Sequence, residues 1–173
     1  MNLITYGRIT RENFSTASLD GFIDRQEVTE CWRRVDGQWK LLPIAYTDES
    51  GPDAQTVLDA LEAGHPAYGA WAEGEVVGLA LLDRERFGSA GQYVDLAEFY
   101  VSLPYRRRGI GRRLFQLVCQ GARELGASKL YISAHSARES IAAYRSYGCV
   151  EAEEVNQALV EKEPCDVQME FRL

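Results

Sequence analysis

Apolar and polar positions recur along this chain with two periods, near two and near 3.6 residues. Residues 3–9 (LITYGRI) read as a first strand, and Asn13 to about Asp24 as a helix. The aromatic and β-branched runs VTECWRRV and QWKLLPIAY flank Asp36-Gly37, a two-residue hairpin signal. Pro43 weakens the end of the second run, because proline donates nothing to a ladder. After a loop at 47–52, a helix runs from near Pro52 to about Ala63. It places Val57, Leu58 and Leu61 on one face and stops at Gly64.

The later part reads more regularly. Strands are expected at 67–73 and 75–83, split by Gly74, and at 92–102, ended by Pro104. A helix begins at Gly109. Leu114, Leu117, Val118, Gly121, Ala122 and Leu125 fall at offsets 0, 3, 4, 7, 8 and 11, one amphipathic stripe that stops at Gly126. A strand at 129–134 leads into a helix from Ser136 or Ala137 to Gly148. Two last strands, 149–155 and 165–172, are joined by a charged loop, VEKEP. The order from residue 67 is β-β-β-α-β-α-β-β. That predicts an α+β (mixed α/β) fold, with a mixed sheet carrying helices on both faces.

Length and composition bound the function. With 173 residues, 46% hydrophobic and 26% charged, the chain suits one globular domain over 1–173. A net charge of −7 disfavours a general nucleic-acid binder, which must neutralise phosphates, and suits cationic partners such as amines. The same charge also serves solubility. The four cysteines (Cys31, Cys119, Cys149, Cys165) fit neither a zinc site nor a disulfide framework, and His65 and His135 show no ligand spacing. No metal is expected. No apolar leader region and no run of about 18 apolar residues is found, so a cytoplasmic, membrane-free setting is expected.

The chemistry concentrates at the junction VSLPYRRRGIGRRLF. Two glycines spaced by one residue sit where a strand hands over to a helix. Glycine permits positive φ and close approach of a ligand. Successive N–H groups and the helix N-terminus then form an anion nest, ringed here by arginines 106, 107, 108, 112 and 113. Leu114 replaces the third glycine of a dinucleotide fingerprint, and no Gly-Lys-Ser/Thr of a P-loop follows. Taken alone, the arginine run also reads as a solvated helix start.

The full pattern resembles the GNAT superfamily of acyl-CoA-dependent N-acyltransferases, whose hallmark is Arg/Gln-x-x-Gly-x-Gly/Ala. Arg106, Gly109 and Gly111 match it. Residues 140–149 (SIAAYRSYGC) resemble that family's last helix, with Tyr144 four before Gly148. Cys149 stands for the usual phenylalanine, and Ser136 or Ser140 for a common asparagine. The resemblance covers 67–155 well; the hairpin at 28–46 lies outside it.

The resemblance implies a mostly antiparallel sheet of about six to seven strands, with the hairpin as an N-terminal insertion. It implies acetyl-CoA as cosubstrate, its pyrophosphate on the amides from Arg107 through Arg108, Gly109, Ile110 and Gly111 to Arg112. The pantetheine arm would pair with the main chain of Phe99, Tyr100 and Val101, and an N–H near Tyr100 or Val101 would hold the oxyanion. An amine, freed of its proton by Glu98 or Asp95, would attack the thioester, and Tyr144 would protonate the leaving thiolate. Strict alternation puts Asp95 and Glu98 on opposite faces unless a bulge, frequent in the family, intervenes. Glu98 is favoured. Each of these side chains also has a plain reading as a surface carboxylate or a packed tyrosine.

Three functions are therefore weighed: an N-acetyltransferase acting on a small-molecule amine or on a protein N-terminus or lysine, a non-catalytic acyl-CoA sensor, and a phosphate or RNA binder. The first is expected. Trp32, Trp39, Tyr46, Asp48, Glu49 and Asp53 in the first third are candidates to face the amine. Dimerisation is common in that family, so the resemblance allows a homodimer.

Overall fold

The computed structural model describes residues 3–173. Its strands are β1 (Ile4–Arg8), β2 (Gln26–Val28), β3 (Cys31–Val35), β4 (Gln38–Leu42), β5 (Tyr46–Asp48), β6 (Ala67–Ala72), β7 (Glu75–Leu82), β8 (Tyr93–Val101), β9 (Lys129–Ala134), β10 (Val150–Glu151) and β11 (Val167–Arg172). The helices are α1 (Ala54–Glu62), α2 (Ile110–Glu124), α3 (Arg138–Tyr147) and α4 (Gln157–Lys162).

Seven strands form one sheet in the order β1-β6-β7-β8-β9-β11-β10. Neighbours pair antiparallel except β8 and β9, which run parallel. The amphipathic stripe seats α2 on β6, β7 and β8. The approach is close at Gly78, where an added Cβ would meet Leu114 Cδ1 at 2.9 Å. Leu114, Val118, Ala122, Val94, Leu130 and Ile132 fill that layer. The opposite face of the sheet is covered by α1 and the turns before it, through Phe14, Val57, Leu79 and Leu81. Burial of these apolar side chains, each contributing roughly 1.5–3 kcal/mol, holds the two layers together. Among the described residues no helix is long and apolar enough to cross a membrane.

Two expectations need correction. Residues 13–24 are turns, not a helix. Short polar side chains there bond the local backbone: Asn13 Oδ1 accepts from Thr10 N–H at 2.8 Å, and Ser18 Oγ from Ser15 N–H at 2.8 Å. Such bonds compete with helix formation. The charged segment before β11 contains α4, capped by Asn156, whose Oδ1 accepts from Leu159 N–H at 3.3 Å. The Asp36-Gly37 hairpin forms as expected, both residues at positive φ (51° and 78°), and it stands outside the main sheet.

Candidate active site

The site grows from one irregularity in the sheet. β8 and β9 are paired only at Tyr93–Asp95 against Lys129–Tyr131, and beyond that point they splay apart. The far half of β8 therefore has one ladder edge free. Ser102 N–H returns to Val77 O in β7 at 2.9 Å. Alternation from that bond turns Tyr100 toward β7, and the N–H and C=O of Phe99 and Val101 toward the open gap. Of the two residues expected to hold an oxyanion, Val101 thus has its N–H on the open side, whereas Tyr100 N–H belongs to the β7 ladder.

A bulge lies in the same strand. The register steps from Leu81↔Glu98 to Leu82↔Leu96, leaving Ala97 unopposed. That extra residue reverses the parity of alternation, so Asp95, Glu98 and Tyr100 share the face away from α2. Phe99 and Val101 point to the other side, where Phe99 packs against Phe115 and Tyr144.

The two carboxylates differ. Asp95 Oδ1 is buried with no hydrogen-bond partner. Its pKa is pushed up to about 7, first by burial and then by the charge of Asp83, with Lys162 opposing. Glu98 is half-buried and also raised, mainly by burial, while the neighbouring Tyr100 hydroxyl and Lys162 pull it down. Tyr100 is pushed up by burial and then by the charges of Glu98, Asp24 and Asp48, so those carboxylates all bear on one small region.

At the end of β8, a single 3-10 turn (Leu103–Tyr105) precedes the arginine-glycine corner. Arg107 (φ 62°) and Gly109 (φ 82°) adopt left-handed conformations. The first bond into α2 runs from Arg113 N–H to Gly109 O at 3.1 Å. Among the described residues none accepts from the N–H groups of Arg107 through Arg112. That is the donor array an anion needs at a helix start. Gly111 leaves room there: an added Cβ would lie 2.7 Å from Tyr147 Oη. Arg108 stacks over Tyr105 and Arg112 over Tyr147, with their cationic ends near the corner.

Arg106 behaves differently from its neighbours. Its Nε donates to Val101 O at 2.9 Å, Nη1 to Arg25 O at 2.9 Å, and Nη2 to Asp24 at 2.5 Å. Its side chain is engaged by the chain on either side rather than turned into the nest. Ser136 is also occupied: its buried hydroxyl accepts from Arg33 Nη1 at 2.7 Å. Ser140 lies partly exposed in the first turn of α3.

Tyr144 on α3 sits with its ring centroid 6.0 Å from that of Phe99 and 6.3 Å from that of Tyr147. Burial, then Cys149, Tyr147 and Tyr100, raise its phenol above the ordinary value. Near neutral pH it therefore carries its proton.

The hairpin reaches this region too, which the sequence did not reveal. Trp32 N–H donates to Ser136 O at 2.8 Å, and Arg138 N–H to Glu30 O at 3.0 Å, fastening β3 to the β9–α3 junction. At its base, Tyr46 Oη lies 2.7 Å from His135 Nε2, and Asp48 lies 3.3 Å from the same nitrogen. Trp32 is capped by Arg145, and with Trp39, Ile141 and Met169 it lines a small cavity. Asp53 is the N-cap of α1.

Splayed parallel strands, an anion nest and a bulged acidic face together define an acyl-CoA transferase geometry. The family model for GNAT acetyltransferases matches residues 29–149, well over half of the chain, and the protein belongs to that family. No curated protein sequence matches it. Among solved structures, nourseothricin acetyltransferase is 17% identical with a TM-score of 0.73, covering 98% of this chain and 98% of its own. A streptothricin acetyltransferase candidate from Bacillus anthracis, in complex with acetyl coenzyme A, is 12% identical with a TM-score of 0.70, covering 99% of both chains. A ribosomal-protein-alanine N-acetyltransferase from Brucella melitensis is 28% identical over 69% of this chain and 75% of its own, with a TM-score of 0.52.

Proposed function

We propose that this enzyme transfers the acetyl group of acetyl-CoA to a primary amine of a small cationic molecule, of the streptothricin kind. The observation that carries this reading is the bulge in β8, which gathers Asp95, Glu98 and Tyr100 on one face with Asp24 and Asp48 bearing on it. An acidic face beside an acyl-CoA gap attracts a protonated amine and supplies a base for it. The full-length likeness to nourseothricin and streptothricin acetyltransferases, which extends over the first third, supports the same acceptor class.

Acetyl-CoA as donor accords with membership of the family. Its pyrophosphate would rest on the free amides of Arg107 to Arg112, and its pantetheine arm along Phe99 and Val101. The thioester carbonyl would accept from Val101 N–H, which then stabilises the oxyanion as the amine attacks. An alkylammonium has a pKa near 10, so it must lose a proton first. Glu98 is the base in this scheme. Asp95, deeper and titrating near neutrality, is a less constant carboxylate at pH 7. The tetrahedral intermediate collapses by breaking the C–S bond; the Tyr144 hydroxyl donates its proton to the departing thiolate, and the second proton shed by the acylated nitrogen, passed through water, restores that hydroxyl.

The test is thiol release from acetyl-CoA with nourseothricin, simple diamines and short peptides as acceptors. Turnover with nourseothricin or a diamine, and slower turnover with peptides, is the expected result. Tyr144→Phe should lower kcat about tenfold to a hundredfold with CoA affinity nearly unchanged. No binding of acetyl-CoA at near-millimolar concentration would defeat the enzymatic reading.

A further inference from the structure

Residues 22–25 run along the outer end of β8 and are stitched to it and to the turn that follows by four bonds of 3.0 Å or less. Ile23 N–H donates to Ser102 Oγ at 3.0 Å, and Leu103 N–H to Ile23 O at 2.7 Å. Arg106 adds the other two, reaching Arg25 O and the Asp24 carboxylate, while its Nε is held by Val101 O at the end of β8. Side-chain exposure is 30% for Arg106 and 15% for Asp24, so this ion pair is largely shielded. The wall so fixed carries Phe22 and Asp24, which line an open cavity with Leu19, Glu49, Gly51 and Pro52. Asp24 also bears on Tyr100, beside the proposed base.

We infer that Arg106 is a positioning residue for the acceptor wall, holding Asp24 and residues 22–25 against the end of β8. It is not a ligand of the coenzyme phosphates. The physical reason is the fork. A guanidinium offers donors in fixed directions, and three of them are already met by protein acceptors on two segments. Turning the side chain into the nest would break all three and leave Asp24 half-buried without its counter-charge, whose removal raises a carboxylate's pKa. The nest needs no help from it, since six backbone amides there stand free. Arg106 thus couples the coenzyme corner to the acceptor side. The acceptor part of this inference rests on the proposed transfer to an amine; the coupling itself does not.

Arg106→Gln, Asp24→Asn and the double variant of the full chain test it by three measurements. These are CoA affinity by calorimetry, amide hydrogen exchange at residues 22–25 and 102–103, and steady-state kinetics with nourseothricin at saturating acetyl-CoA. Arg106→Gln should leave the Kd for CoA within about threefold and speed exchange at Ile23 and Leu103 about tenfold. It should raise KM for nourseothricin about tenfold with kcat little changed, as expected for lost bonds to a charged group. Asp24→Asn should act in the same direction, and the double variant should be no worse than Arg106→Gln alone. A CoA Kd weakened tenfold or more with unchanged exchange overturns the inference, as does an additive double variant. Should Arg106→Gln fail to fold, Asp24→Asn keeps the backbone bonds intact, and its exchange and CoA data decide. If nourseothricin proves not to be an acceptor, only the proposed acceptor fails, because CoA binding and exchange are read without it.

Discussion

The coenzyme corner and the N-terminal arm are built by opposite means. The corner, residues 107–112, takes its shape from local chemistry: glycine at positive φ, a helix start, and amides with nothing else to bond. The arm, residues 9–53, is shaped by what it touches far away. Its anchors are Ser102, Arg106, His135, Ser136 and Arg138, each more than 75 positions distant. On the proposed reading, the locally built element binds the part of the substrates common to the whole family. A docked element can change its anchors without disturbing that part, so on the same reading acceptor choice is assigned to the arm.

The bulged face of β8 lies between the two regions, and its loss should produce the largest effect. Glu98→Gln keeps the shape and removes the proposed base. We expect kcat/KM to fall about 10²- to 10⁴-fold, with CoA affinity unchanged. In the parent enzyme, kcat/KM should rise with pH through the Glu98 pKa, which burial holds above the ordinary glutamate value. The variant should lack that acidic limb. A variant within threefold of the parent would move the base to Asp95 or to water.

Asp95 gives the next effect, on stability. Its folded pKa of about 7 lies above the unfolded value of 3.8. Between these values the folded protein holds a proton that the unfolded chain has lost. Stability from this group therefore falls as pH rises from about 4 to 7, and above 7 the folded state bears the full cost of a buried charge. Asp95→Asn resembles the protonated form. It should be more stable than the parent at pH 8 by about 1–4 kcal/mol, and nearly equal to it at pH 4, by urea unfolding. Equal stability at pH 8 would mean that water reaches Oδ1.

How much of this was legible in the sequence follows the same division. The Arg106–Gly111 pattern, the α2 stripe and the Asp36-Gly37 turn are set by neighbours a few positions apart, so periodicity and turn chemistry disclose them. The bulge at Ala97 is harder to see: it shifts the apolar alternation from Val94 and Leu96 to Phe99 and Val101, but Ala97 and Tyr100 are themselves apolar and mask the step. The turns at 13–24 contain residues that a helix tolerates, and the bonds that Asn13 and Ser18 accept from the backbone N–H groups of Thr10 and Ser15 decide against it. Asn156 was a readable N-cap for α4 that the surrounding charge run obscured. The role of Arg106 was hidden because the partners of its fork, Arg25 and Asp24, lie some 80 positions away.

Two glycines turn the comparison into a matched experiment. Gly109 (φ 82°) and Gly37 (φ 78°) share a left-handed conformation, and a Cβ added at either meets nothing within 4 Å. Alanine therefore costs the same backbone strain at both, about 1–2 kcal/mol. At Gly109 that strain falls on the amides of the nest. Gly109→Ala should weaken CoA binding about fivefold to tenfold. At Gly37 the strain falls on the tip of the hairpin, outside the main sheet. Gly37→Ala should lower Tm by about 2–6 °C while leaving the Kd for CoA unchanged. The effect on the acceptor should be the smaller one, a KM change of less than about threefold. The turn only closes β3 and β4, and the bonds of Trp32 and Glu30 to the β9–α3 junction still hold the hairpin in place. If Gly37→Ala weakened CoA binding as much as Gly109→Ala does, the corner would depend on the arm, and the separation of the two regions would fail.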